Sequence, residues 1–157
     1  MKKLIFLLVF AVFFCCAVSA NDGPAAGDIS PDLTLKDLSG KPFILSDNFN
    51  KDTVILVFFA SWSKSCQNEL EYLSTIENAR VVAVAFDRNV DNLKEFIKEK
   101  EIKFTVLTDK KLISMNDFRL LIIPTTFVID KNGKIKNIYV EFDDNVQKAI
   151  EVDLLVP

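Results

Sequence analysis

Apolar residues run without a break through positions 54–60 and stop at the polar Ser61. A short apolar run between turn-forming residues predicts a strand buried on both faces. The period then changes. Cys66, Leu70, Leu73 and Ile76 recur at steps of three and four, which predicts an amphipathic helix with Glu69, Glu71 and Glu77 outward and Ser63 or Ser65 capping its start. Residues 81–86 predict a second buried strand. A helix follows, capped by Asn89 or Asp91, with Val90, Leu93, Phe96 and Ile97 inward and alternating charges on its solvated face. Residues 104–107 predict a third strand, and Thr108 and Asp109 open a short helix with Leu112, Ile113 and Met115 expected in the core.

Strand, helix, strand, helix and strand in succession imply right-handed crossovers and parallel pairing. The ends of the chain read differently. Residues 125–129 and 134–140 flank Asp130-Lys131-Asn132-Gly133, and Asn-Gly between apolar runs is a strong hairpin signal. Asp143 or Asp144 then opens a last helix through Val146, Ala149 and Ile150. Nearer the start, Leu33, Leu35 and Leu38 precede Ser39-Gly40-Lys41, with Phe43 and Leu45 beyond, which predicts another hairpin. The expectation is an α/β domain with a central mixed sheet flanked by helices and an N-terminal β-hairpin extension.

Met1-Lys2-Lys3 and the apolar residues 4–18, closed by Val18-Ser19-Ala20, have the form of a secretory signal over residues 1–20. The apolar stretch is shorter than the roughly 20 residues of a spanning helix, so export to the periplasm is expected with no transmembrane span after cleavage. Lipidation at Cys15 or Cys16 is the rival, opposed by bulky Phe14 where an acceptor motif wants small residues. Residues 21–29, with Gly23, Pro24 and Gly27, read as a flexible leader, and residues 30–157 as one domain.

Cleavage alters the chemistry. Of three cysteines, Cys66 alone remains, so no disulfide forms within the mature chain. There is no histidine, which leaves almost no ligands for zinc, and neither a metal nor a cofactor is expected. Formal charge moves from −3 to −5 when Lys2 and Lys3 leave, opposite to a nucleic-acid footprint.

Cys66 itself admits two readings. At a helix start, unpaired backbone N–H groups favour a thiolate. A free cysteine is also, commonly, a small buried hydrophobe. The surrounding residues Phe58-Phe59-Ala60-Ser61-Trp62-Ser63-Lys64-Ser65-Cys66 resemble the active-site stretch of the periplasmic thioredoxin-like family, the TlpA/ResA-like and redoxin group, whose pattern is F-W-A-x-W-C-x-x-C. Phe58, Ala60, Trp62 and Cys66 match, and Glu69 falls where that family often carries glutamate. Residues 31–47 resemble the family's amino-terminal extension, and Ile123-Pro124-Thr125-Thr126-Phe127 its loop with a proline after a cis peptide bond. The resemblance implies a thioredoxin fold. It also implies a groove in which Trp62, Ile123 and Pro124 accept an extended peptide or a protein thiol partner beside Cys66.

Ser63 departs from the pattern, standing where the family has its attacking cysteine, and Val57 stands at thioredoxin's buried aspartate. Dithiol exchange needs an attacking and a resolving cysteine. Three readings follow: a peptide-binding or chaperone-like module with dithiol cycling lost, a thiol–disulfide oxidoreductase acting through Cys66 alone, or a one-cysteine peroxidase. The last takes Ser63-x-x-Cys66 as the peroxiredoxin T/S-x-x-C and needs an arginine over the site, for which Arg119 is the candidate; Phe59, where that pattern has proline, opposes it.

Overall fold

The computed structural model describes residues 23–155; the expected signal, with Cys15 and Cys16, lies outside them. The strands are β1 (Thr34–Asp37), β2 (Pro42–Ile44), β3 (Val54–Phe59), β4 (Arg80–Ala85), β5 (Thr105–Thr108), β6 (Thr125–Ile129) and β7 (Ile135–Val140). The helices are α1 (Lys64–Leu73), α2 (Val90–Glu99), α3 (Ile113–Asp117) and α4 (Asp144–Leu155). One seven-stranded sheet carries the order β2-β1-β5-β4-β3-β6-β7. β3, β4 and β5 are parallel to one another, and β6, β7 and the β1–β2 hairpin are antiparallel to their neighbours.

β3 has no exposed residue, as its unbroken apolar run requires. Its alternate side chains feed two cores. Val54, Leu56 and Phe58 pack with Phe118, Phe127 and the N-terminal hairpin on one face of the sheet. Ile55, Val57 and Phe59 pack with Cys66, Leu70, Leu93 and Ile150 on the other, under α1, α2 and α4. Both crossovers run in the same direction along the sheet, so α1 and α2 fall on one side.

Asn89 caps α2 through the N–H groups of Asp91 and Asn92, and Asp143 caps α4 through those of Asn145 and Val146. The short helix α3 differs from expectation. It begins at Ile113, after Leu112 takes the left-handed conformation (φ 56°), and the Asp109 carboxylate reaches across that turn to accept from the N–H groups of Ile113 and Ser114. The shifted start leaves Leu112 and Ile113 exposed, while Met115 packs on the core. Residues 27–30 run against the β6–β7 hairpin: Gly27 N–H donates to the Ile135 carbonyl, Ile135 N–H to Asp28, and Ser30 N–H to Gly133.

The Asn132-Gly133 turn depends on its glycine. Gly133 has φ 77°, and a Cβ there would sit 2.8 Å from the Phe49 ring. Left-handed strain and this clash act together, so Gly133→Ala is expected to destabilise the protein by about 2 kcal/mol in urea unfolding; an unchanged midpoint would contradict the turn geometry.

Candidate functional site

The site forms where β3 gives way to α1. Ser63, extended at φ −87° and ψ 123°, is the N-cap; its Oγ accepts from Cys66 N–H at 3.5 Å and its carbonyl accepts the first helical bond from Gln67. Ser63 satisfies a helix-terminal N–H that would otherwise have no partner. The connecting residues are clamped from two sides. Both Asp87 oxygens accept from Ser61, one from its N–H and one from its hydroxyl, and Gln67 Nε2 donates to the Ser61 carbonyl at 2.7 Å. Trp62, between these fixed points, is 75% exposed.

Cys66 is fully buried and free. Burial pushes its thiol above the ordinary value, polar contacts with the Ser63 hydroxyl and the Ala60 backbone oppose the rise, and the carboxylates of Glu69 and Asp87 add to it. Loss of solvent therefore outweighs the helix terminus, and Cys66 stays protonated near neutrality.

Glu69 corrects the outward placement expected from its charge. It is 1% exposed, its Oε1 accepts from the buried Thr126 hydroxyl at 2.6 Å, and its Oε2 has no partner. The physical reason is angular: three residues beyond Cys66 and four before Leu73, it lies within the buried stripe of α1. Glu71, by contrast, is exposed and pairs with Lys100 at 2.6 Å. Thr126 pairs with Val57 across the sheet, so α1 supplies the acid of this core and β3 does not.

The loop before β6 completes the site. The Ile123–Pro124 bond is cis. Pro124 is buried with its carbonyl accepting from Glu141 N–H at 2.8 Å, and Ile123 packs against both cores. Among the described residues none hydrogen-bonds the Ile123 backbone. Arg119 stands elsewhere. It lines a groove with Gly23, Pro24 and Phe118 on the opposite sheet face and is not among the charges acting on Cys66. No cluster of metal-ligating side chains occurs among the described residues.

Comparison with known proteins bears on what such a site belongs to. The model of the AhpC/TSA family matches residues 26–138. The chain belongs to the AhpC/TSA family. Among its relatives there, the thiol-disulfide oxidoreductase ResA of Geobacillus thermodenitrificans is 30% identical over 136 residues, covering 83% of this chain and 75% of that protein. The thioredoxin-like protein YneN of Bacillus subtilis is 32% identical over 126 residues, covering 75% and 73%. The crystal structure of the thiol:disulfide interchange protein DsbE from Chlorobium tepidum superposes with a TM-score of 0.78 at 29% identity, covering 84% of this chain and 96% of that one. Peroxidoxin BcpB from Mycobacterium tuberculosis shares the fold, with a TM-score of 0.72 at 21% identity over 84% and 96% of the two chains. This AhpC/TSA chain is thus a thioredoxin-fold member of the thiol-disulfide oxidoreductase group.

Burial raises the Glu69 carboxyl from 4.5 to about 7, with Thr126 opposing. A raised carboxyl stabilises the fold below its unfolded value and loses that advantage as pH rises through its folded value. Between pH 4 and pH 8 the ionised side chain therefore comes to cost about 3 kcal/mol. Glu69→Gln is expected to gain that amount relative to the parent across this window in paired unfolding curves; a constant difference would place Glu69 in contact with water.

Proposed function

We propose that the exported chain is a peptide-binding, chaperone-like module of the thiol-disulfide oxidoreductase group in which dithiol cycling is lost. The observation that carries this reading is the state of Cys66, buried without solvent access and kept protonated chiefly by that burial. Ser63 stands in the place of the attacking cysteine: it keeps the helix cap, and with no histidine in the chain its hydroxyl has no imidazole base to activate it. The recognition surface remains. Trp62 is exposed, and the Ile123 backbone has the free groups with which an extended peptide pairs by strand addition. Export to the periplasm after loss of residues 1–20 belongs to the same proposal and is supported by the charged start and apolar run. Among the described residues no helix is long and apolar enough to cross a membrane.

A second reading, exchange through Cys66 alone, is favoured by the unpartnered Oε2 of Glu69. Glu69 would take the Cys66 proton, the thiolate would attack a partner disulfide and release one partner thiolate, and an external thiol would free Cys66 by forming the new disulfide. The peroxidase reading has no such support, because Arg119 lies on the other face of the sheet.

Alkylation of Cys66 across pH separates the first two. Slow labelling in the folded protein, rapid labelling after unfolding and an apparent pKa above that of a solvent-exposed cysteine are expected; fast native labelling at neutral pH would select exchange instead. Independently, Ser63→Cys restores a second sulfur at the helix start and is expected to produce insulin disulfide reductase activity. A folded but inactive variant would count against the correspondence of Ser63 with the attacking cysteine.

A further inference from the structure

The strand register brings a second set of residues to the same end of the sheet as Cys66. Phe59 pairs with Ala85, and Ala85 with Thr108, so the segments leaving β3, β4 and β5 emerge side by side. Lys36 of β1 pairs with Thr108. On the other side Phe58 pairs with Thr125 and Thr125 with Val140, which brings Glu141 to this end as well.

Charge is segregated along this rim. Lys36, Arg88, Lys110 and Lys111 are all exposed on the β4, β5 and β1 flank. The ion pairs of Arg80 with Asp52 and of Lys100 with Glu71 lie elsewhere, and none of these four cations takes part in one. Three carboxylates adjacent to them in sequence are turned inward or into their own turns, while Asp91 in the first turn of α2 stays exposed. Asp87 is buried on Ser61, Asp109 is buried on the start of α3, and Asp37 accepts from Ser39 and from the N–H of Lys41. The β7 flank carries exposed Glu141, Asp143 and Asp144 instead.

The basic flank is also concave. Lys36, Lys110 and Lys111 line a groove of about 420 Å³ with Leu35, Pro42 and Ile113, the last 52% exposed. Adjacent strands lie about 4.8 Å apart, so β1 is about 14 Å from β3, within reach of four or five extended residues. A polypeptide held at Trp62 is thus long enough to reach the groove with about four or five further residues.

We propose that this lysine-rimmed groove docks an acidic and apolar segment of the polypeptide that lies across Trp62 and Ile123. Carboxylates meet Lys36, Lys110 and Lys111, and an adjacent apolar side chain covers Leu35 and Ile113. Arg88 follows β4, the strand between β3 and β5, and adds its charge to this flank. The inference rests on the peptide-binding reading above and adds its partner's chemistry: an extended chain with acidic residues on the β5 side, attracted to one patch of an otherwise acidic protein.

Fluorescence of Trp62, the single tryptophan of the chain, gives the readout. Three synthetic apolar peptides are titrated, differing in whether one end carries glutamates, serines or lysines. The glutamate peptide is expected to bind about tenfold tighter than the serine peptide, and the lysine peptide more weakly than either. The advantage should vanish in Lys110→Glu/Lys111→Glu and in the milder Lys110→Gln/Lys111→Gln, and shrink as salt rises. Equal binding of all three peptides would overturn this inference and leave the peptide-binding reading standing. Binding of none would overturn both. A glutamate preference that survives both lysine variants would overturn it too, since the charge would then act elsewhere. Adsorption to phosphatidylglycerol vesicles without peptide preference would overturn it in favour of a membrane surface.

Discussion

The complete desolvation of β3 is the constraint on which the rest of the structure depends. A strand with no solvent face must be hydrogen-bonded on both edges and covered on both sides, and here β4 and β6 supply the edges. One face is closed by three helices and the other by α3 and the N-terminal hairpin. With the strand fixed in this way, whatever follows its last residue is held in place. Ser61, Trp62 and Ser63 leave a rigid base, and the clamp from Asp87 and Gln67 removes what freedom the loop would otherwise have.

The same burial determines the chemistry of Cys66. A helix start and a hydroxyl cap lower a thiol's pKa when the sulfur is wet, yet here the sulfur lies in the core shared with Val57, Phe59 and Leu70. The carboxylates of Glu69 and Asp87 push the thiol up further. Low dielectric magnifies both effects in the same direction, so the thiol form prevails. Glu69 is governed by the same environment, which explains why one α1 carboxylate stays neutral to about 7 while Glu71, two residues on, is held below the ordinary range by Lys100.

Much of this was legible in the residues because the signals were local. The run over positions 54–60, the Asn89 cap and the Asn132-Gly133 turn each specify their element through neighbouring residues, and the order of elements then narrows the topology. What escaped was set by distant partners or by angle. Residues 27–30 bond to a hairpin about a hundred positions away, which no local pattern encodes. Leu112 and Ile113 have core-like side chains, but a left-handed residue and a carboxylate cap rotate them outward. Glu69 was readable in principle: its position in the Cys66, Leu70, Leu73 stripe outweighs its charge, given a Thr126 hydroxyl to accept from.

Fold and chemistry separate at Ser63. The N-cap position asks for an extended backbone and a small side chain that accepts from the helix's first free N–H groups, and serine meets that demand well. Cysteine at the same position would be a weaker acceptor and a stronger nucleophile. Under the proposed reading, a serine here costs the fold nothing and removes the step that begins disulfide exchange. Nothing in the loop, the cis-proline turn or the exposed tryptophan requires sulfur at residue 63, so a binding surface built around this helix start persists when the redox cycle does not.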